Sequence, residues 1–171
     1  MKINLIIFLS RFVIGGAGNS IFRLCEGLPK KKFNISIICL KNCPYDKNFN
    51  KIGVKVYKIN SIKSIFAMTK VLNITKSLIS KKYKKNIFMS NIHYTNVLSL
   101  IFLRNLNNLK IVLVERTPLM ELDIYFNFFD FIKKNIIKLL IYLLYNSSDT
   151  IICNSKYMSK HFKIKYIFRF Y

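Results

Sequence analysis

The cluster Gly15-Gly16-Ala17-Gly18 is the first group of residues whose types and spacing could bind a ligand. It follows an apolar run at residues 3–9 and precedes Asn19 and Ser20, either of which can cap an amphipathic segment. Glycines let the backbone approach a ligand closely, and the first N–H groups of a helix are unpaired. The cluster therefore fits either a backbone nest for a phosphate or sugar hydroxyl, or a plain strand-to-helix turn.

The glycine cluster differs from the familiar nucleotide-binding patterns. A dinucleotide fingerprint needs a third glycine further into the helix and an acidic residue at the end of the second strand. Here the second apolar run ends in Leu40-Lys41, and no Gly-Lys-Ser/Thr phosphate loop follows the cluster. These departures argue against an enzyme that uses a nicotinamide or flavin cofactor.

Glu115-Arg116 and His93 are the other candidates for chemistry. The charged pair directly follows the apolar run at residues 111–114, and His93 lies just past an earlier predicted strand. Glu115 could bind hydroxyls while Arg116 binds an anionic oxygen or positions the loop that begins at Thr117. A structural ion pair and a hydrogen-bonded structural histidine are the alternatives, and His93 is the one weak candidate for a catalytic group.

The composition of the chain limits which classes of function and partner are plausible. The 171 residues carry a net charge of +22. An AT-rich genome, which favours lysine codons, would produce such a charge, and attraction to an anionic membrane would follow from it. Nucleic acid is the weaker interpretation, because the lysines are spread along the chain and arginines are few. The four cysteines lack metal-ligand spacing, so they fit core positions in a reducing cytosol. The sequence supports neither a Ser-His-Asp set nor an acidic metal cluster.

Apolar runs and helical periodicities alternate along the chain, which predicts a single α/β domain with a Rossmann-like, doubly wound parallel sheet. The predicted strands are residues 3–9, 35–40, 54–59, 86–90, 111–115 and 150–153. One predicted helix begins near residue 20, three others cover residues 65–79, 96–103 and 132–145, and a fifth begins at residue 156. Residues 42–50 are predicted to form a loop. In such sheets, ligands bind at the carboxyl ends of the strands, which is where the candidate residues fall.

Residues 126–145 combine phenylalanines and aliphatic side chains with three interleaved lysines. Most of this segment is predicted to be core, and a part of it could lie on a membrane with its aromatic residues at the interface. A surface for nucleic-acid stacking is a weaker interpretation. The apolar stretch at residues 136–145 contains a lysine and is too short to cross a bilayer.

Four segments, in order, resemble the N-terminal domain of a GT-B-fold glycosyltransferase of family 4. They are the opening strand with Gly15-Gly16, the strand 87–90 followed by Thr95-Asn96, and the two longer segments Glu115-Arg116-Thr117-Pro118 and Tyr145-Asn146-Ser147-Ser148-Asp149-Thr150-Ile151-Ile152-Cys153-Asn154-Ser155. Together they extend over nearly the whole chain.

The resemblance implies transfer of a sugar from a nucleotide-sugar donor to a saccharide or lipid-linked acceptor, without an essential metal or other cofactor. The N-terminal domain would mainly hold the acceptor, at the cytoplasmic membrane face. The residues that the resemblance places along the donor/acceptor cleft are Gly15, Gly16, Ala17, His93, Thr95, Asn96, Glu115 and Arg116.

Two departures shape the expected function. Gly18 and Asn19 stand where many members of the family have an acidic and a basic residue. The domain is expected to cover residues 1–162, with a basic-aromatic tail at 163–171 in place of a donor-binding second domain. We therefore expect a truncated or half enzyme that is inactive without a separate donor-binding domain. The alternative is a non-catalytic, basic membrane-surface module or degenerate remnant.

Overall fold

A six-stranded, all-parallel sheet forms the centre of the part of the chain that the computed structural model describes, residues 1–12, 15–41 and 43–160. The strand order is β3-β2-β1-β4-β5-β6. The strands are β1 (Ile3–Leu9), β2 (Phe33–Cys39), β3 (Lys55–Lys58), β4 (Lys85–Asn91), β5 (Lys110–Glu115) and β6 (Thr150–Cys153). Because β1 to β3 extend to one side and β4 to β6 to the other, the order reverses between β1 and β4.

Helices cover both faces of the sheet. They are α1 (Gly16–Gly27), α2 (Asp46–Lys51), α3 (Ser64–Leu78), α4 (His93–Leu103) and α5 (Phe128–Leu144). Short 3₁₀ turns occupy Leu119–Asp123 and Tyr145–Ser147, and residues 156–160 are helical. The doubly wound, Rossmann-like α/β fold predicted from the alternation is therefore confirmed.

The two faces of the sheet bury separate apolar clusters. Ile6 and Phe8 of β1 point towards α3, α4 and α5, and Ile7 and Leu9 point towards α1 and α2. Successive side chains of a strand face opposite sides of a sheet, so a strand covered on both sides needs a continuous apolar run. This requirement explains why β1 was predicted with its observed bounds.

The prediction that most of residues 126–145 are core is wrong, because the aromatic and aliphatic side chains of this segment are mostly exposed.

Other differences from the sequence prediction concern the ends of helices and strands. Helix α1 starts at Gly16, and Asn19 and Ser20 lie inside it instead of capping it. The predicted loop at residues 42–50 contains the start of α2, and α4 begins at His93, three residues before its predicted start. The tail 163–171 and the end of the last predicted helix lie outside the described residues.

Candidate active site at the carboxyl edge of the sheet

The turn between β1 and α1 lies at the point where the strand order reverses. Gly15 adopts φ 149° and ψ −165°, a conformation that is essentially restricted to glycine. It precedes Gly16, the first residue of α1, and the Gly15 carbonyl accepts the N–H of Asn19 at 2.9 Å. A Cβ atom on either glycine would meet no other atom within 4 Å. The turn therefore leaves open space beside its backbone.

The turn between β4 and α4 lies on the other side of this reversal. Ile92 joins the two elements with φ 74°, which is a strained conformation for a β-branched residue. Its N–H donates to the Val114 carbonyl of β5 at 3.0 Å, so the turn is tied to the neighbouring strand. The strained turn makes His93 the first residue of α4 and places it at the candidate site.

Glu115, the last residue of β5, is completely buried and is held by side chains from other elements. Its Oε1 accepts the Asn96 Nδ2 hydrogen at 2.7 Å and the hydroxyl hydrogen of Tyr145. Burial first, and the Glu115 carboxylate second, raise the pKa of Tyr145 well above its ordinary value. Tyr145 therefore stays protonated and acts as a donor to the carboxylate.

His93 is also buried, with 1% of its surface exposed. Its Nδ1 lies 3.7 Å from Glu115 Oε2 and 3.4 Å from the Thr117 hydroxyl. Within the described ranges, neither His93 Nε2 nor Glu115 Oε2 has a hydrogen-bond partner. Buried polar atoms are normally paired, so this pair has unused hydrogen-bonding capacity next to the open edge.

Arg116 lies at the edge itself and is half-buried. Its Nε donates to Asn91 Oδ1 at 2.9 Å, and Asn91 Nδ2 donates in turn to the Phe8 carbonyl of β1 at 3.1 Å. Asn91 thus links the ends of β1, β4 and β5. Burial lowers the pKa of Arg116, although a guanidinium remains charged at neutral pH. Its terminal nitrogens can meet an anionic oxygen.

A second opening lies beside β1 at the same edge. It is a cavity of about 120 Å³ between the loops that follow β1 and β2 and the start of α3. Its polar lining comes from Ser10, Arg11, Lys41, Ser61 and Ser64. Two cations and three hydroxyl groups suit an oxygen-rich, negatively charged group.

The structure brings together most of the residues expected at the cleft, although at different depths. His93, Thr95, Asn96 and Glu115 form a buried layer, and the Thr95 hydroxyl donates to the Ile92 carbonyl at 3.0 Å. The residues with more exposure are Gly15, Gly16, Ala17, Arg116 and Thr117. Their individual roles in ligand binding stay predictions.

Asn91 directly follows the predicted strand 86–90, so the sequence places it at the ligand edge, but it is not among the residues that the resemblance places along the cleft. Tyr145 is not assigned to the site from the sequence. Tyr145 had no local pattern to identify it, since it lies 30 residues from Glu115 and meets the carboxylate through the tertiary fold. In the described part of the chain, no group of three or more His, Cys, Asp or Glu side chains is arranged to hold a metal ion.

A parallel sheet with this strand order defines a Rossmann-like domain, in which the reversal point is the usual place for a ligand. The sequence matches the family described as Glycosyltransferase Family 4 over residues 14–169. The chain therefore belongs to this family.

The fold is similar to the structure of the Candida albicans trehalose-6-phosphate phosphatase N-terminal domain. The match has a TM-score of 0.53 and 13% sequence identity, and it covers 95% of this chain but 42% of the other. At this identity the likeness shows the shared fold alone. Among curated proteins, none gives a significant match. Within the described residues, no helix is long and apolar enough to cross a membrane.

Proposed function

We propose that this domain holds the acceptor during transfer of a sugar from a nucleotide-sugar donor to a saccharide or lipid-linked acceptor. The observation that carries the proposal is the Asn91–Arg116 pair at the end of β4 and β5, opposite the open Gly15–Gly16 turn. Family membership supplies the reaction class. In this reaction a glycosidic bond forms between the anomeric carbon and an acceptor hydroxyl oxygen, and the bond between the anomeric carbon and the nucleoside diphosphate breaks. The proton of the acceptor hydroxyl passes to the departing diphosphate.

The proposed role of each residue follows from how deeply its side chain is buried and from its charge. Arg116 meets an anionic oxygen of the bound molecules, and the glycine turn lets a sugar or phosphate approach the backbone. His93 and Glu115 lie beneath this surface, and His93 positions the Thr117 hydroxyl that is 3.4 Å from its Nδ1. We propose that the transfer needs no metal and that a second, donor-binding domain completes the cleft.

The proposal is tested by titrating the ¹⁵N-labelled protein with a panel of saccharides and with UDP- and GDP-sugars. We expect a saccharide to shift the amide resonances of Gly16, Arg116 and Thr117, and Arg116→Gln to weaken that binding about tenfold. The control is Arg104→Gln at the far end of α4, which should bind as the wild type does. Resonance shifts confined to the opposite edge, or sugar transfer by this chain alone, would contradict the proposal.

A further inference from the structure

Helix α5 presents a continuous apolar face to solvent. Its buried side packs Ile141 into the core, next to Tyr145 of the following turn. The opposite side carries five exposed apolar residues at helical spacing: Phe128, Ile132, Ile136, Leu139 and Leu143. Positions separated by three, four or seven residues share one side of a helix, so these side chains form one stripe along the whole length of α5. We call it the outer face of α5.

The aromatic end of this face lies beside the candidate site. Phe126 and Phe129 are 85% and 83% exposed, and the ring of Phe128 lies 6.4 Å from that of Phe129. Lys133 then links the helix to the site, because its Nζ lies 4.7 Å from the centre of the Tyr94 ring. The Tyr94 ring is in turn 4.8 Å from His93.

The lysines on the inner side of α5 do not interrupt the apolar stripe. Lys134 pairs with Asp130 at 2.9 Å, and Lys138 pairs with Asp123 at 2.6 Å. Contiguous apolar patches on the surface of soluble proteins mark interaction sites. The outer face is therefore a candidate site for an apolar partner.

Charge identifies the partner. A second copy of the chain would also carry +22 and would be repelled. Of the seven acidic residues, Asp46, Asp123, Asp130 and Asp149 form ion pairs with lysines, and Glu115 is buried. Five of the seven acidic residues are thus paired or buried, whereas the chain has 29 lysines and arginines. A partner that is apolar inside and negatively charged outside matches both the apolar stripe and the net charge.

We propose that the outer face of α5 docks the protein on an anionic phospholipid bilayer. The helix lies parallel to the membrane surface with its phenylalanines at the acyl boundary, as interfacial helices do. Because the aromatic end lies beside the candidate site, docking brings the carboxyl edge of the sheet to the membrane surface. The inference does not depend on sugar transfer, since vesicle binding is measured without donor or acceptor.

A single introduced tryptophan tests the orientation, because the chain contains none. Ile136→Trp places the probe on the outer face, and Leu24→Trp places it at an exposed position on α1, which covers the opposite face of the sheet. With vesicles of phosphatidylcholine and phosphatidylglycerol, we expect a blue shift of the emission and quenching by brominated lipids for Ile136→Trp only. A shift for Leu24→Trp alone, or for neither variant, would overturn the proposal.

Binding measurements test the energetics. The variant Phe128→Gln/Ile132→Gln/Ile136→Gln/Leu139→Gln keeps the net charge, and its partition coefficient onto these vesicles should fall at least about tenfold. The control Leu24→Gln/Ile101→Gln removes exposed apolar side chains of α1 and α4 and should change the partition coefficient less than about twofold. Thermal unfolding of each variant verifies that it is folded.

Two further results would overturn the inference. One is that Lys81→Gln/Lys84→Gln/Lys85→Gln, at the opposite edge, abolishes vesicle binding while the four-glutamine variant binds normally. The other is that the wild type is a dimer that does not bind vesicles, whereas the four-glutamine variant is a monomer. The first would assign docking to the basic edge, and the second would assign the outer face to contact between copies.

Discussion

The Glu115 carboxylate shows how single residues determine the chemistry of the carboxyl edge. It ends an apolar strand and is removed from water, so it needs hydrogen-bond donors. Asn96 supplies one from α4 and Tyr145 supplies another from the turn after α5. The second carboxylate oxygen, Oε2, lies 3.7 Å from His93 Nδ1. The hydrogen bonding of the buried Glu115 carboxylate therefore depends on a hydroxyl group far away in the sequence.

Tyr145→Phe tests this dependence at the residue scale. The substitution removes the donor and keeps the ring, so it should lower the free energy of unfolding by about 1–3 kcal/mol. Urea unfolding measures the change. The control is Tyr83→Phe, since the ring of Tyr83 keeps its contact with Lys82, and it should remain within about 0.5 kcal/mol of the wild type. Equal stability of Tyr145→Phe and the wild type would show that the donor contributes little.

Buried thiols predict a loss of stability at alkaline pH. Burial raises the pKa of Cys25 and of Cys39 from 9.0 to about 12. A raised pKa in the folded state stabilises the protein below pH 9.0, and this contribution is lost as the pH rises towards 12, because only the unfolded thiols ionise. Each thiol should contribute a slope of up to about 1.4 kcal/mol per pH unit.

Urea unfolding at several pH values between 8 and 10.5 measures this slope. Cys25→Ala/Cys39→Ala should show a shallower loss of stability with pH than the wild type. Val71→Ala removes core volume without removing a titrating group, so its slope should equal that of the wild type. A double variant that loses stability as steeply as the wild type would contradict the assignment.

At the scale of elements, the two glycines that begin α1 make opposite predictions. Gly15 has a conformation that other residues rarely adopt, whereas Gly16 is already helical, and at both positions a Cβ atom would find free space. Gly15→Ala should therefore destabilise the fold by about 1–3 kcal/mol through the backbone alone. Gly16→Ala should stabilise it by about 0.4–1 kcal/mol, because it restricts the unfolded chain.

Thermal and urea unfolding of the two alanine variants compare these effects directly. Because the neighbouring space is equally open at both positions, the difference between them isolates the backbone conformation. Equal effects of the two substitutions would mean that the turn relaxes without cost. The glycine would then be required only for the approach of a ligand.

Continuous apolar runs made the sheet predictable, and helix boundaries were harder. The run at β1 predicts a strand covered on both faces, and the structure gives it the same bounds. Helix α2 was missed because its sequence, DKNFNK, contains one apolar residue and no periodicity. Helix α4 starts earlier than predicted because Ile92 accepts a strained conformation that no propensity would assign to isoleucine.

The candidate site was predictable to a similar degree. Residues adjacent to strand ends, such as Glu115 and Arg116, fall at the ligand edge because a parallel sheet gathers its carboxyl ends there. Their depth was not predictable, since the burial of Glu115 depends on α4 and on Tyr145. Side-chain partners from distant elements leave no pattern of spacing in the sequence.

At the scale of the whole molecule, the fold gathers lysines that are spread along the chain. The connections that enter the strands all meet at the amino edge of the parallel sheet, opposite the candidate site. The basic residues at that edge are Lys2, Lys30, Lys31, Lys32, Lys51, Lys55, Lys81, Lys82, Lys84, Lys85, Arg104 and Lys110. Sequence reasoning treated the lysines as dispersed because these connections are far apart in sequence.

This gathering of charge predicts that salt stabilises the protein. Like charges repel across the amino edge, where Asp149 is already paired with Lys110 at 3.0 Å, and salt screens repulsion between exposed charges. The melting temperature should therefore rise between about 0.02 and 0.3 M KCl, where the Debye length falls from roughly 20 to 6 Å. Differential scanning calorimetry measures this rise.

A matched pair of variants separates screening at this edge from general effects of salt. Lys81→Gln/Lys84→Gln/Lys85→Gln removes three neighbouring charges beside a cavity at the amino edge, so it should be more stable than the wild type at low salt and should gain less as salt is added. Lys47→Gln/Lys63→Gln/Lys70→Gln removes the same charge from scattered positions and should keep most of the salt response. If both variants respond to salt equally, the net charge of +22 acts as a whole and its position in the fold does not matter. A larger loss of salt response in the first variant would locate the repulsion at the amino edge, on the side of the molecule opposite Arg116 and the glycine turn.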